Sequence, residues 1–122
     1  MKHKFSFEKL DVWKQAKNLA VDIYKLTEDF PDEEKYGLQS QIRRAAVSVS
    51  SNIAEGSSRF SSRSKSNFYQ IAYSSLMELY SQIHIAQDLK YIRLEERTVN
   101  GIMAVSNLLN SLHKSVQKRT AS

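Results

Sequence analysis

No cysteine occurs anywhere in this chain, which excludes disulfides and thiolate metal sites. The absence fits a reducing compartment, and a cytoplasmic protein is the expectation. Proline occurs once, at Pro31, and glycine three times. A β-rich fold of 122 residues needs more turn punctuation than that, so an all-α chain is expected. No apolar run approaches the ~20 residues that span a bilayer, and membrane insertion is not expected. The N-terminus Met1-Lys2-His3-Lys4-Phe5 is basic but leads into charged residues, not into the apolar core of a signal peptide.

What is present is ordinary globular material, 41% hydrophobic and 25% charged, at a length that suits one domain over residues 1–122. The net charge of +5 is unevenly placed. Residues 1–34 carry six lysines against eight acids. Residues 35–75 carry Lys35, Arg43, Arg44, Arg59, Arg63 and Lys65 against Glu55 alone. A basic middle of this kind points to an anionic partner, RNA or DNA among them, although moderate basicity also occurs in proteins that bind neither.

Four helical segments can be read. In the first, from about Asp11 to Asp29, Val12, Ala16, Leu19, Ile23, Leu26 and Phe30 recur at alternating spacings of four and three. That is a heptad seam, and Trp13, Ala20, Tyr24 and Thr27 widen it. Pro31 stops the helix, because the residue before a proline avoids the α region. Asp32, Glu33 and Glu34 then suit a helix start, and Gly37 marks a bend before the second helix.

The second helix, about Leu38 to Glu55, has packable residues on more than one side. Leu38, Ile42, Ala45, Val49 and Ile53 form its core stripe, and Val47 and Ala54 fall nearly opposite. Between them runs a polar row of Gln41, Arg44, Ser48, Ser51 and Glu55. A solvated face is one reading of this row. Its small serines, with an arginine and a glutamate at the ends, also suit a contact between subunits. Gly56 is expected to close the helix as a left-handed cap.

Residues Ser57 to Ser66 form a polar basic connector whose serines can cap the third helix. Arg59, Arg63 and Lys65 are candidate phosphate contacts there, with Arg43 as a fourth. The plainer alternative has Arg59 reaching back to Glu55. The third helix, about Arg63 to Lys90, carries Phe68, Ala72, Ser75, Leu79 and Ala86 on one stripe. Tyr69, Tyr73, Leu76, Tyr80 and Ile83 lie on the next. Tyrosines at heptad spacing pack against a neighbouring helix more often than they stack on bases. The fourth helix opens at Glu95-Glu96 and presents Val99, Ile102, Leu109, Leu112 and Val116. Lys114, Lys118 and Arg119 offset the dipole at its end, and Thr120-Ala121-Ser122 are expected to fray.

Short connections between four helices predict an antiparallel up-down-up-down bundle. Its second stripes exceed what one bundle can hide, and such surplus marks a protein interface. Gln41, Arg44, Val47, Ser48, Ser51, Asn52, Glu55, Tyr69, Tyr73 and Tyr80 are the candidate contacts of a homo-oligomer. No Glu-x-x-His pair, glycine-rich phosphate loop or GxSxG elbow occurs, so neither catalytic residues nor a cofactor or metal is expected. His3, His84 and His113 are scattered along the chain.

The segment Phe5–Arg59 resembles a bacterial family of four-helix bundles named for proteins encoded in intervening sequences of 23S ribosomal RNA genes. The residues that carry the likeness are Phe7, Leu10, Val12-Trp13, Ala16, Ile23-Tyr24, Thr27, Phe30-Pro31, Glu34, Tyr36-Gly37-Leu38, Gln41-Ile42-Arg43-Arg44-Ala45, Ser48, Asn52-Ile53-Ala54-Glu55-Gly56 and Arg59. Phe68, Ile71-Ala72, Ser75-Leu76, Glu78-Leu79 and Ala86 extend it into the third helix. Ser50 and Ser74 depart from the proline and glycine frequent in the family. The resemblance implies an antiparallel bundle and a ring-like homopentamer. The family is similar to retroelement accessory proteins, which are basic pentamers that bind nucleic acid and a reverse transcriptase. Two roles follow as expectations: a nucleic-acid-binding oligomer, or an adaptor oligomer that binds another protein.

Overall fold

The computed structural model describes residues 2–121, with side chains through residue 118. The readings of Arg119 and of Thr120-Ala121-Ser122 lie outside those side chains. Four long helices make up the described chain: α1 Asp11–Leu26, α2 Leu38–Ser57, α3 Ser62–Asp88 and α4 Glu96–Ala121. Short 3-10 turns at Ser6–Lys9 and Asp32–Glu34 precede α1 and α2, and no strand occurs among the described residues.

Each helix packs on its neighbours in the chain, and α4 closes back onto α1. At one end the Phe30 and Tyr91 rings meet at 5.4 Å, and the Tyr91 hydroxyl donates to Glu34 Oε2 at 3.3 Å. The exit of α1, the entry to α2 and the exit of α3 therefore lie together. At the other end Ser57 Oγ and the Tyr69 hydroxyl share a bond of 2.9 Å, and Ser66 Oγ lies 2.7 Å from His113 Nε2. α3 therefore lies with its ends opposed to those of α2 and of α4. Burial, with the Glu34 carboxylate nearby, pushes the Tyr91 hydroxyl above its usual range.

The core is one cluster fed by all four helices. Val12, Ala16, Leu19 and Ile23 of α1 face Ile42, Ala45, Val49 and Ile53 of α2, with Ala72, Leu76, Leu79 and Ile83 of α3 and Ile102, Val105 and Leu109 of α4 closing it. Fully burying each Ile, Leu or Val contributes about 1.5–3 kcal/mol, set against the entropy of ordering the chain. The predicted stripes are all represented, and Ala46, absent from them, is also buried.

The helix ends show where local chemistry overrides the stripe. α1 stops at Leu26, three residues before the expected Asp29. The Thr27 hydroxyl donates to the Ile23 carbonyl at 2.8 Å, and Phe30 N–H turns back to the Thr27 carbonyl. α2 runs through Gly56 to Ser57, and no glycine has a positive φ. The expected left-handed cap at Gly56 is therefore corrected: this glycine sits inside the helix, where the ring of Tyr69 crosses it. Serines finish the helix instead, with Ser58 Oγ donating to the Glu55 carbonyl at 2.8 Å. Ser61 caps α3 as expected, its Oγ accepting from Ser64 N–H at 3.1 Å.

The left-handed residue among the described residues is Lys90, with φ 65°. It follows α3, where Lys90 N–H donates to the Gln87 carbonyl and Tyr91 N–H to the Ala86 carbonyl, both at 2.9 Å. This is a Schellman closure with a lysine in the position that glycine favours. An L-residue in that region costs about 1–2 kcal/mol, part of which glycine returns as chain entropy. Lys90→Gly is expected to raise stability by about 0.5–1 kcal/mol, seen as a Tm a few degrees higher. An unchanged or lower Tm would show that the Lys90 side chain makes a compensating contribution.

Candidate functional site

The turn between α1 and α2 builds a cationic recess. Pro31 holds an extended φ/ψ of −57° and 146°, and the acidic Asp32–Glu34 turn follows. Glu34 then engages both its carboxylate oxygens: Oε1 accepts from Leu38 N–H at 3.1 Å and Oε2 from Tyr91. That leaves Lys35 and Tyr36 projecting at the mouth of α2. The Tyr36 ring is 89% exposed, the Lys35 ammonium 5.6 Å from its centre.

The first turns of α2 supply the floor. Gln39, Ser40, Arg43, Arg44, Val47 and Ser48 line an open groove of about 600 Å³, with Tyr24 of α1, Lys35 and Tyr36 on its other margins. Three cations and no carboxylate line it. Such a surface favours an anion before any specific contact is made.

Arg43 is the structural member of this set. Its Nε donates to Thr27 Oγ1 at 2.9 Å, its Nη2 to the Tyr24 carbonyl at 3.0 Å, and its guanidinium lies 4.5 Å from the Tyr24 ring centre. Gln39 Nε2 donates to the Thr27 carbonyl at 2.7 Å. Together they satisfy the carbonyls that the end of α1 leaves without helical partners. Arg44 differs: it is exposed, and its nearest partner, Ser40 Oγ, is 3.4 Å from Nη2.

The connector cations are more engaged than their sequence context suggests. Arg59 lies 4.0 Å from Glu55 and 4.4 Å from the centre of the Phe68 ring, as the alternative reading of that loop has it. Lys65 Nζ donates to the Ser57 carbonyl at 2.9 Å and so closes the end of α2. Arg63 is exposed on the first turn of α3.

The candidate contact residues are likewise divided. Tyr69 is 3% exposed and belongs to the core, so it moves out of the surface set. Tyr73 and Tyr80 are half-buried against the core, and the Tyr80 ring meets His84 edge-on at 4.5 Å. Ser48 shares a 2.8 Å bond with Ser75 of α3, and Asn52 Nδ2 donates back to the Ser48 carbonyl and hydroxyl. Those two serve the α2–α3 seam within the chain. Gln41, Arg44, Val47, Ser51 and Glu55 remain exposed along α2. On α3, Ile71 and Ile85, with Leu89 at the C-cap that follows, are about half exposed at 49%, 49% and 50%. At 100° per residue they share one face, which the sequence reading missed although their spacing of 14 and 4 carries it.

A second recess of about 330 Å³ lies between α3 and α4 beside Tyr69, Gln70, Tyr73 and His113. Its Ser66–His113 contact joins the two helices. No group of three or more potential metal ligands occurs among the described residues. No helix among them is long and apolar enough to cross a membrane.

These features define an all-α four-helix bundle with a cationic groove along the α1–α2 edge. The family model of the 23S rRNA-intervening sequence proteins matches residues 8–114, and the chain belongs to that family. The fold is also that of a crystal structure described as a protein with unknown function from the S23 ribosomal protein family, from Bacteroides thetaiotaomicron. The two chains are 26% identical with a TM-score of 0.77, over 84% of this chain and 95% of that one. No curated protein matches the sequence.

Proposed function

We propose that this protein is a non-enzymatic, cytoplasmic homo-oligomer that binds nucleic acid through its basic surface. The observation that carries the reading is the groove lined by Lys35, Arg43 and Arg44 without a carboxylate. Cations that neutralise phosphates release condensed counterions, so affinity of this origin is strongly salt-dependent. Self-association is supported by the half-exposed Ile71 and Ile85 on α3, continued by Leu89 at its C-cap, and by the exposed Ser51 and Glu55 near the end of α2. Five subunits is the number we favour, on the family resemblance. A ring would multiply the +5 of each chain into one concentrated field.

That same α3 face favours a second reading, an adaptor oligomer that holds another protein. Native mass measurement with and without a structured RNA, at about 50 and 200 mM salt, separates the two. The expected result is an oligomer that gains RNA mass at low salt and loses it at high salt. An oligomer that takes up no RNA or single-stranded DNA at low salt favours the adaptor. A monomer under all conditions overturns both.

A further inference from the structure

The geometry points to the α1–α2 groove as a site for single-stranded nucleic acid, with Tyr36 as a stacking platform and Arg44 and Lys35 as phosphate contacts. This rests on the nucleic-acid reading above and assigns it a place and a substrate form. The connector after Gly56 is a weaker place for such a site. Two of its three cations, Arg59 and Lys65, are held by Glu55, Phe68 and the Ser57 carbonyl. Lys65 would have to leave the Ser57 carbonyl to meet a phosphate, and the Glu55 carboxylate beside Arg59 repels one.

In the groove the opposite holds. Tyr36 is 89% exposed, with an apolar ring face that nothing covers except the Lys35 ammonium on one side. A ring that open gives a base a surface on which to stack, and stacking tolerates any base. Arg44 is exposed, with only a 3.4 Å approach to Ser40 Oγ, so its guanidinium can meet a phosphate oxygen. Arg43 is fixed by Thr27 and Tyr24 and adds charge at the floor without moving. The Ser40 hydroxyl adds a donor for phosphate or sugar.

Two occupants compete for such a surface. An acidic peptide also answers the charge, but it needs apolar pockets for its anchors. Val47, 41% exposed, is the one aliphatic side chain in the lining. A duplex answers the charge as well, but its stacked bases cannot reach Tyr36. Unpaired bases on a flexible backbone fit both the ring and the cations.

The test is fluorescence anisotropy with a labelled single-stranded oligonucleotide of about 12 nucleotides, a length within the range of single-strand site sizes. A duplex of the same length and poly-glutamate serve as competitors. Tyr36→Ala is expected to weaken binding about tenfold, the loss of one base stack. Arg44→Ala is expected to reduce the salt slope by about one, and Lys114→Ala, an exposed cation on α4 away from the groove, to stay near the unsubstituted protein. Helicity and native mass of each variant are measured alongside.

Failure of the unsubstituted protein to bind any nucleic acid at low salt removes the functional reading and this site with it. Binding that survives both Tyr36→Ala and Arg44→Ala leaves the function standing but overturns the groove as its site. Competition by poly-glutamate or duplex equal to that by single strand, with Tyr36→Ala silent, overturns the stacking role. A change of subunit number in either variant assigns the groove to a subunit contact instead.

Discussion

Gly56→Val is expected to destabilise the protein by about 3 kcal/mol, the upper range for forcing extra atoms into a packed interior. A Cβ built at Gly56 would stand 2.7 Å from Tyr69 Cε1, 2.9 Å from Tyr69 Cδ1 and 3.0 Å from Phe68 Cβ. The ring cannot easily retreat, since it is buried and its hydroxyl is tied to Ser57 Oγ at 2.9 Å. Valine has a better helix propensity than glycine by only a few tenths of a kcal/mol, too little to offset the overlap. Gly56→Ala, with its larger propensity gain of about 1 kcal/mol, should lose less but still lose. Urea unfolding followed by circular dichroism reads both. In a double-mutant cycle, Gly56→Val should cost less on a Tyr69→Ala background, because the obstacle is then gone. Equal costs on the two backgrounds would mean that Gly56 is required for some reason other than this crossing.

Arg43→Ala should lower stability by about 2 kcal/mol, within the range for hydrogen bonds made by a charged group. The substitution removes donors to Thr27 Oγ1 and to the Tyr24 carbonyl, and the cover that the guanidinium gives the Tyr24 ring. The site is half-buried, so water replaces only part of what is lost. Arg43→Lys should recover little. A single ammonium cannot reproduce two donors set at a fixed angle across a planar group. Chemical denaturation of the three proteins checks this. Full recovery by lysine would mean that charge alone, rather than the fork geometry, holds the end of α1.

Arg43 and Arg44 show how far the linear chain can be read. Adjacent in sequence, they are indistinguishable by composition, and both lie in the segment that carries the basic excess. In space one is a clamp on α1 and the other faces solvent. The difference arises because 100° of rotation per residue points neighbours to different sides. Which side meets an acceptor depends on where α1 ends, with the Thr27 hydroxyl 16 residues earlier and the Tyr24 carbonyl 19 residues earlier. Lys65 and Arg59 are a mixed case. The Arg59–Glu55 pair, four residues apart, could be read from the chain, whereas the Ser57 carbonyl that Lys65 meets and the Phe68 ring beside Arg59 are set by how the connector turns.

Glycine and tyrosine carry a similar lesson. Gly56 at the end of an apolar stripe has the local appearance of a cap, and local chemistry favours that reading. Only the approach of α3 explains why a side chain is absent there. Tyr69, Tyr73 and Tyr80 share one row in sequence, yet their burial differs: Tyr69 alone of the three is pressed against Gly56 and tied to Ser57 at the end of α2.

The sequence by itself determined the helical class, the four segments, most of the core and the family. The first three depend on periodicity, on the scarcity of glycine and proline, and on apolar burial, and the family on the particular residues of its motifs. The tertiary structure decided which cations are bound and which are free, and it collected Tyr24, Lys35, Tyr36 and Arg44 around one groove. Hydrogen bonds and charge pairs act over a few ångströms. Their partners are therefore settled only when distant segments have been packed together.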